Sequence, residues 1–381
     1  MPKRLLFEAW RGIHHSYALV AQQHCLAILP RADIELRFRD LPYFSPHWRR
    51  TSGVLDAVDE VRIGSIPAPE PEFAPEATVN MQAERPDFSP PPSGRKFVFG
   101  TPEFRVLREE NVAGVRSARE LSHDIHVLTP SRWTAAAYER FGFAPARIHV
   151  VPHGIDPKVI HPDAQSRAVA RAAVGIRDEF VFMSIGAMTA NKGIDLLLAA
   201  FAQVALALPH VRLMLKGADA LYPSQEYLRE MLNALPSGTR ERVATRLLYQ
   251  GSTFSARQMA TFLRMADCYV APYRAEGFNM PVLEGAGCGV PVICTQGGPT
   301  DEFTTSAFAH HIRSTLVSVP LDPVQSGEAL APDFDDLVQA MTHAATHREQ
   351  MEVRGEIAAQ HVLDHYTWDK VTDLLLGELF T

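Results

Sequence analysis

The sequence predicts an α/β protein of two doubly wound, Rossmann-like domains facing each other across a cleft. Three observations predict it. A chain of 381 residues is long enough for about two domains of ordinary size. Short apolar runs alternate with helical periodicity in both halves, the pattern of a mostly parallel sheet covered by helices. Between the halves, "VVPHGIDPKVIHPDAQ" carries the prolines and glycine of a crossing from one domain to the next.

In the first half, "KRLLFEAW" reads as a strand and "HHSYALVAQQHCLAIL" as the helix after it, with Ala18, Ala21, Cys25 and Leu29 on one face. The runs "IELRF", "EVRIG", "ATVNM", "KFVFG" and "IHVLTP" are expected to be further strands. Residues 65 to 94 hold "SIPAPEPEFAPE" and "PDFSPPPSG", a proline-rich excursion between strands. The second half restarts with the strand "EFVFMSIGAM". The helix "GIDLLLAAFAQVALAL" follows, its Ile194, Leu197, Leu198, Phe201, Ala205 and Leu208 recurring at helical spacing. "VRLMLKG", "RLLYQG", "DCYVAPY" and "VPVICT" predict four more strands, with helices near 225 to 235, 256 to 265 and 280 to 288 between them. The expected boundaries are 1–160 for the first domain, joined by the last helix at 366–381, and 161–365 for the second. Neither half contains GxGxxG, and the halves share a layout, not a sequence repeat.

Composition narrows the partners. A net charge of −7 argues against nucleic acid, which selects a basic balance or stripe. A small anion remains compatible, because helix ends and a few local cations can hold it. The four cysteines, Cys25, Cys268, Cys288 and Cys294, form no CxxC pair and sit in apolar stretches, as buried free thiols of a reducing compartment do. Glu8 and Arg11 interrupt the apolar run that a secretory signal would need after Lys3 and Arg4. The most apolar helix, Ile194 to Leu208, is shorter than a bilayer span and carries Asp195. The expectation is a cytoplasmic protein that at most touches the inner face of a membrane.

The stretch "EGFNMPVLEGAGCGVPVI", residues 276 to 293, carries the chemistry. Asn279 is a good N-cap for a short helix with Pro281 in its first turn and Gly289 as its stop. Glu276 then lies just before that helix, at the carboxyl end of a strand, where open α/β sheets bind ligands. Amides around Gly277, Phe278, Asn279 and Met280 would favour an anion such as a diphosphate. A carboxylate beside a diphosphate must accept hydrogen bonds from neutral hydroxyls. Glu276 on one side and Glu284 on the other suit a sugar and a ribose. This chemistry points to a nucleotide sugar.

The same stretch, with the strand before it and "GGPTDEF" after it, resembles the Glu-seven-residues-Glu region of retaining glycosyltransferases of the GT-B fold, in particular family 4 (glycosyl transferase group 1). "VPHGID" and "NKGIDLLLAAF" are similar to that family in order and spacing. The resemblance implies a retaining transferase that moves a hexose-type sugar from a nucleotide-sugar donor to a hydroxyl of a glycan, lipid-linked or small-molecule acceptor. It implies no cofactor and no bound metal. Carried onto this chain, Glu276 would hold donor-sugar hydroxyls, Glu284 the ribose, and Lys192 the diphosphate. The ordinary alternatives are a loop glutamate, a helix-surface glutamate and a solvated first-turn lysine. An arginine usual in the family five or six positions before the lysine is absent, since this chain has Gly186 and Ala187 there. Arg11, beside Gly12 in the first strand-helix loop, is the candidate substitute, and Gly12 could let backbone amides approach a phosphate.

Other residues compete with plainer readings. His15 is either a cleft residue or a helix cap, and His153 either touches substrate or orders the crossing. Glu103, where the family often has a polar residue near the reacting sugar, either orients acceptor or sugar or is a loop glutamate. Asp333 and Asp335 have DxD spacing but precede a helix, so capping is expected rather than metal binding. "RFRDLPYFSPHWRR" interleaves arginines and aromatics, an edge for an acceptor or for peripheral membrane contact. Rival functions are a GT-B sugar-nucleotide epimerase, a glycoside phosphorylase and a non-catalytic nucleotide-sugar binding protein.

Overall fold

The computed structural model describes residues 1–83, 86–107, 112, 114–323 and 325–381. The chain forms two compact units, Met1–Gly154 with Tyr366–Thr381, and Ile155–His365.

The first unit contains β1 (Lys3–Ala9), α1 (Ser16–Ile28), β2 (Ile34–Asp40), α2 (Ala57–Gly64), β3 (Ala77–Met81), β4 (Arg95–Phe99), β5 (Ile125–Thr129), α3 (Arg132–Phe141) and β6 (Ile148–Val150). The strands are parallel in the order β2-β1-β3-β4-β5-β6. β3 and β5 are buried along their whole length, because parallel strands covered on both faces have no wet side. One expectation fails: "EVRIG" lies in helix α2, not in a strand. Its Val61 and the preceding Val58 are exposed and only Ile63 is buried. The acids Asp59 and Glu60 favour a helix start, and the Glu60 carboxylate accepts from Gly53 N at 2.7 Å and Val54 N at 3.0 Å.

The second unit runs α4 (Ala164–Ala173), β7 (Phe180–Ile185), α5 (Ile194–Ala207), β8 (Val211–Lys216), α6 (Ser224–Ala234), α7 (Ser237–Ala244), β9 (Leu247–Gln250), α8 (Ala256–Arg264), β10 (Cys268–Ala271), α9 (Met280–Gly287), β11 (Val292–Thr295), β12 (Ala309–Ile312), the hairpin β13 (Ser314–Pro320) and β14 (Ser326–Pro332), α10 (Phe334–Thr346) and α11 (Arg348–His365). Its main sheet has the order β12-β11-β10-β7-β8-β9. The apolar stripe of α5 does what its spacing foretells: Leu197, Leu198 and Phe201 are fully buried against Phe182, Leu213 and Leu215 of the sheet and Leu337 and Met341 of α10. Each such side chain contributes about 1.5–3 kcal/mol on burial.

The last helix, α12 (Trp368–Leu379), belongs to the first unit. His24 Nδ1 meets Thr372 Oγ1 at 2.8 Å, and His149 Nδ1 meets Glu378 Oε2 at 2.6 Å. The crossing falls at Gly154–Ile155, where a Cβ on Gly154 would come within 2.8 Å of the Trp368 amide. All four cysteines are buried and free. No helix among the described residues is long and apolar enough to cross a membrane.

Candidate functional site

The centre of the second sheet is a switch point. From β7 the chain winds through β8 and β9, and from β10 it winds the other way through β11 and β12. Loops leaving such a pair diverge and open a crevice at the carboxyl ends, where sheets of this class hold ligands. Lys192 ends the 3-10 turn Ala190–Lys192 after β7, and Glu276 follows β10. Their charges meet at this point, Nζ to Oε2 2.8 Å, with side chains 19% and 9% exposed.

The two loops are stitched together from both sides. Arg274 N and Ala275 N donate to Asn191 O at 2.7 and 3.3 Å, and Asn191 Nδ2 donates to Ala275 O at 3.1 Å. The Arg274 guanidinium binds both carboxylate oxygens of Asp195 at 2.8 and 2.7 Å and the Ala190 carbonyl at 2.7 Å. Gly193, at φ +69°, completes the contact. A Cβ there would collide with the Pro272 carbonyl oxygen, so only glycine admits this approach. Met188, fully buried at φ 59°, shows that the same loop carries backbone strain, which concentrates at functional sites.

Beyond Glu276 the chain enters α9. Phe278 turns its ring inward against Phe303, centroids 4.7 Å apart, so this residue can serve a ligand only through its backbone. Asn279 precedes the helix, but its expected side-chain cap is absent. Its backbone is left-handed at φ 73° and its side chain makes no capping bond. Asparagine tolerates this conformation better than most residues, which accounts for its presence. Pro281 lies in the first turn, and Gly289, at φ +82°, lies just past the helix end.

Glu284, one turn into α9, is half-buried. Its carboxylate makes no hydrogen bond or ion pair with the described residues. Burial pushes its carboxyl up to about 7. A carboxylate in that condition lacks the donors that would favour its charged form, and sugar or ribose hydroxyls would supply them.

In the first unit the turn after β1 contains Gly12, at φ +69°. Arg11 beside it is committed elsewhere. Its guanidinium pairs with Asp40 through two nitrogens, donates to Ile63 O at 2.9 Å and stacks on Phe38 at 4.5 Å. The cation expected of Arg11 is thus paired with the Asp40 carboxylate. His15 is the N-cap of α1. Its Nδ1 accepts from Tyr17 N at 3.2 Å, and burial among Trp10, Trp48 and Tyr17 lowers it to about 4. His153 is buried near Phe99 and Trp368, and burial, reinforced by the neighbouring His24, lowers it to about 3. Both imidazoles are neutral at ordinary pH. Glu103 is half-buried, and its carbonyl accepts from Trp133 Nε1 at 2.7 Å. Asp333 caps α10 by accepting from Asp336 N at 2.9 Å.

Sequence reasoning missed the bracing residues Asn191, Asp195, Gly193 and Arg274. The arginine in "PYRAEGF" and the acid in "GIDLLL" were visible, but nothing in the one-dimensional pattern pairs them. It also missed Lys216 at the end of β8, a buried ammonium that donates to Gly217 O at 2.6 Å and lies 5.0 Å over the Phe254 ring.

Comparison with known proteins bears on the fold that carries these residues. Residues 179–345 match the family model of glycosyl transferases group 1. The chain is 32% identical over 235 residues to a D-inositol 3-phosphate glycosyltransferase of Segniliparus rotundus, covering 61% of this chain and 46% of the relative. It is 29% identical over 237 residues to the protein of that name in Mycobacterium tuberculosis, covering 62% and 44%. The chain thus spans less than half the length of these relatives. In three dimensions it is similar to HepE of Anabaena, solved with UDP and glucose (14% identity, TM-score 0.66, 98% of each chain). It is likewise similar to the sucrose-phosphate synthase of Thermosynechococcus elongatus (16% identity, TM-score 0.67, 99% and 98%). These likenesses show the fold, which is GT-B.

Proposed function

We propose that the chain is a glycosyltransferase that moves a hexose-type sugar from a nucleotide-sugar donor to an acceptor hydroxyl, with retention of configuration and without a metal. The observation that carries the reading is the arrangement at the β7/β10 switch point: Lys192 braced against Glu276, followed within one turn of α9 by Glu284, whose carboxylate has no hydrogen-bond donor among the described residues. The glycosyl transferase group 1 match across this unit supports it.

In this reading the donor diphosphate takes the place of Glu276 as the main partner of Lys192, sharing the ammonium with the start of α9. Glu276 then accepts from donor-sugar hydroxyls and Glu284 from the ribose. As the bond between the anomeric carbon and the phosphate oxygen lengthens, negative charge grows on the diphosphate. Lys192 and the helix end are already oriented toward that charge, so the transition state is stabilised more than the ground state. The acceptor oxygen forms the new bond to the anomeric carbon. Its proton passes to the departing diphosphate, and the products are a glycoside and a nucleoside diphosphate. The relatives' names nominate a phosphorylated cyclitol as an acceptor to test.

The test is a binding and hydrolysis screen of UDP-glucose, GDP-mannose and related donors against the wild type and Glu276→Ala. At least one donor should bind the wild type, and the variant should lose that binding or its turnover. Failure of every donor to bind would overturn the reading, and equal binding by both proteins would remove Glu276 from it. Ala187, where the family usually has an arginine, motivates a second reading, a non-catalytic nucleotide-sugar binding protein. That reading requires donor binding with no transfer to any acceptor and no hydrolysis.

A further inference from the structure

Among the described residues, the arginines of β2 and the segment after it include one, Arg50, with no hydrogen bond or ion pair. Arg39 pairs with Glu8, Arg37 with Glu35 at 2.9 Å and Glu70 at 3.1 Å, and Arg62 with Asp59 at 2.8 Å. Arg11 is spent on Asp40, and Arg49 donates to the carbonyls of Pro46 and Trp48. Arg50 is exposed and makes no hydrogen bond or ion pair with the described residues.

Its position is built nonetheless. The residues on either side are fastened to the turn after β1. Thr51 N donates to Gly12 O at 2.7 Å, and the Trp48 ring packs edge-on against Trp10 at 5.4 Å and lies 5.4 Å from His15. Further back, Tyr43 OH donates to Arg11 O at 2.6 Å, and Trp10 Nε1 donates to Pro42 O at 2.9 Å. Arg50 lays its stem across Gly12. A Cβ on that glycine would stand 2.6 Å from Arg50 Cγ and 3.1 Å from Nε. The missing side chain of Gly12 is thus the space that holds the guanidinium over the turn. No acidic residue stands in the first turn of α1, and the nearby Asp40 is already bound by Arg11.

We propose that Arg50 is a phosphate-binding residue, held over the Gly12 turn to receive a phosphate group of a substrate. A guanidinium fork with all its donors unspent is the group best matched to phosphate oxygens, whereas a carboxylate ligand would meet no second cation here. The phosphate is one carried by the acceptor, since the donor diphosphate is already assigned to Lys192 and the start of α9. The inference rests on the transferase reading for the identity of the ligand, though not for the geometry.

The experiment uses the full chain, two pairs of probes, UDP with uridine and D-inositol 3-phosphate with myo-inositol, and UDP-glucose as a fifth, titrated into the wild type, Arg50→Gln, Arg50→Lys and Glu276→Gln. Loss of one charge-assisted contact should weaken a phosphorylated probe by about tenfold or more in Arg50→Gln, leave its unphosphorylated partner unchanged, and be partly recovered in Arg50→Lys. A loss confined to D-inositol 3-phosphate is the result expected, and a loss confined to UDP would overturn the assignment to the acceptor. An unaltered unfolding midpoint in Arg50→Gln establishes that the effect is local. If Arg50→Gln binds every probe as the wild type does while Glu276→Gln weakens UDP-glucose, the transferase reading stands and Arg50 has no role. If the wild type binds none of the phosphorylated probes, the Arg50 proposal falls as well.

Discussion

At the ends of β7 and β10 the second unit braces a lysine against a glutamate, whereas after β1 the first unit wraps an aromatic segment over a glycine turn and leaves an arginine unspent. The first arrangement is made of backbone hydrogen bonds and ion pairs between two loops, so its members hold one another in place. The second has hydrogen bonds too, Thr51 N to Gly12 O and Tyr43 OH to Arg11 O, but over the glycine itself it places ring contacts and a side-chain stem, which can yield. Within each unit the lesson is the same: bonds between two loops fix a charge pair, whereas a turn covered by a side-chain stem keeps room to adjust.

The largest expected effect tests the rigid side. Lys192→Met should lower kcat by about 100- to 1,000-fold in a transfer assay, the loss typical of removing one preorganised electrostatic donor. A loss confined to KM would mean that Lys192 binds the ground state only. The next pair sets the two glycine turns against each other by denaturant unfolding. Gly193→Ala should cost about 2–4 kcal/mol, since the added Cβ meets the immovable carbonyl of Pro272 in a left-handed backbone. Gly12→Ala should cost only about 1–2 kcal/mol, because the Arg50 stem can swing aside. Equal costs would erase the contrast between a stiff edge and a pliant one.

Glu284 gives the next effect, of opposite sign to the usual substitution. A carboxyl raised to about 7 keeps its proton in the folded chain where the unfolded chain has lost it. Its contribution therefore erodes stability as pH rises from about 4.5 to 7, and the erosion is complete above 7. Glu284→Gln should be more stable than the wild type by about 1–3 kcal/mol at pH 8, gain nothing near pH 4, and lose donor affinity at both. A variant no more stable at pH 8 would place the carboxyl back in the ordinary range. The smallest effect belongs to Arg274→Ala, about 1 kcal/mol in stability, because the Asp195 pair is part-exposed. Its diagnostic is activity: with Asp195→Ala the two losses should fail to add, since either alone undoes the same brace.

Much of the second unit was legible because each element announces itself locally. The stripe from Ile194 to Leu208 and the strand-turn-helix around Glu276 need no distant partner to be recognised. "EVRIG" misled because a short run with valine and isoleucine suits a strand as well as a helix, and burial, which decides, is not written in the run. The Asn279 cap was expected from residue type. The backbone there turns left-handed instead, a choice imposed by the loop it must close. Arg11 was legible as a cation, yet its neutralisation by Asp40 depends on how β1 and β2 register, Ala9 opposite Asp40. The role of Arg274 depends in the same way on two loops meeting across the sheet.

The Glu284 carboxyl has a consequence for heat as well as for stability. With its carboxyl raised to about 7, Glu284 keeps a proton in the free protein at pH values where an ordinary glutamate has lost it. A ligand whose hydroxyls require the carboxylate must expel that proton into the buffer. The enthalpy of donor binding measured by calorimetry should then change with the ionisation heat of the buffer, more at pH 7 than at pH 9. Counting that released proton would register occupation of the Glu284 pocket without any chemistry taking place.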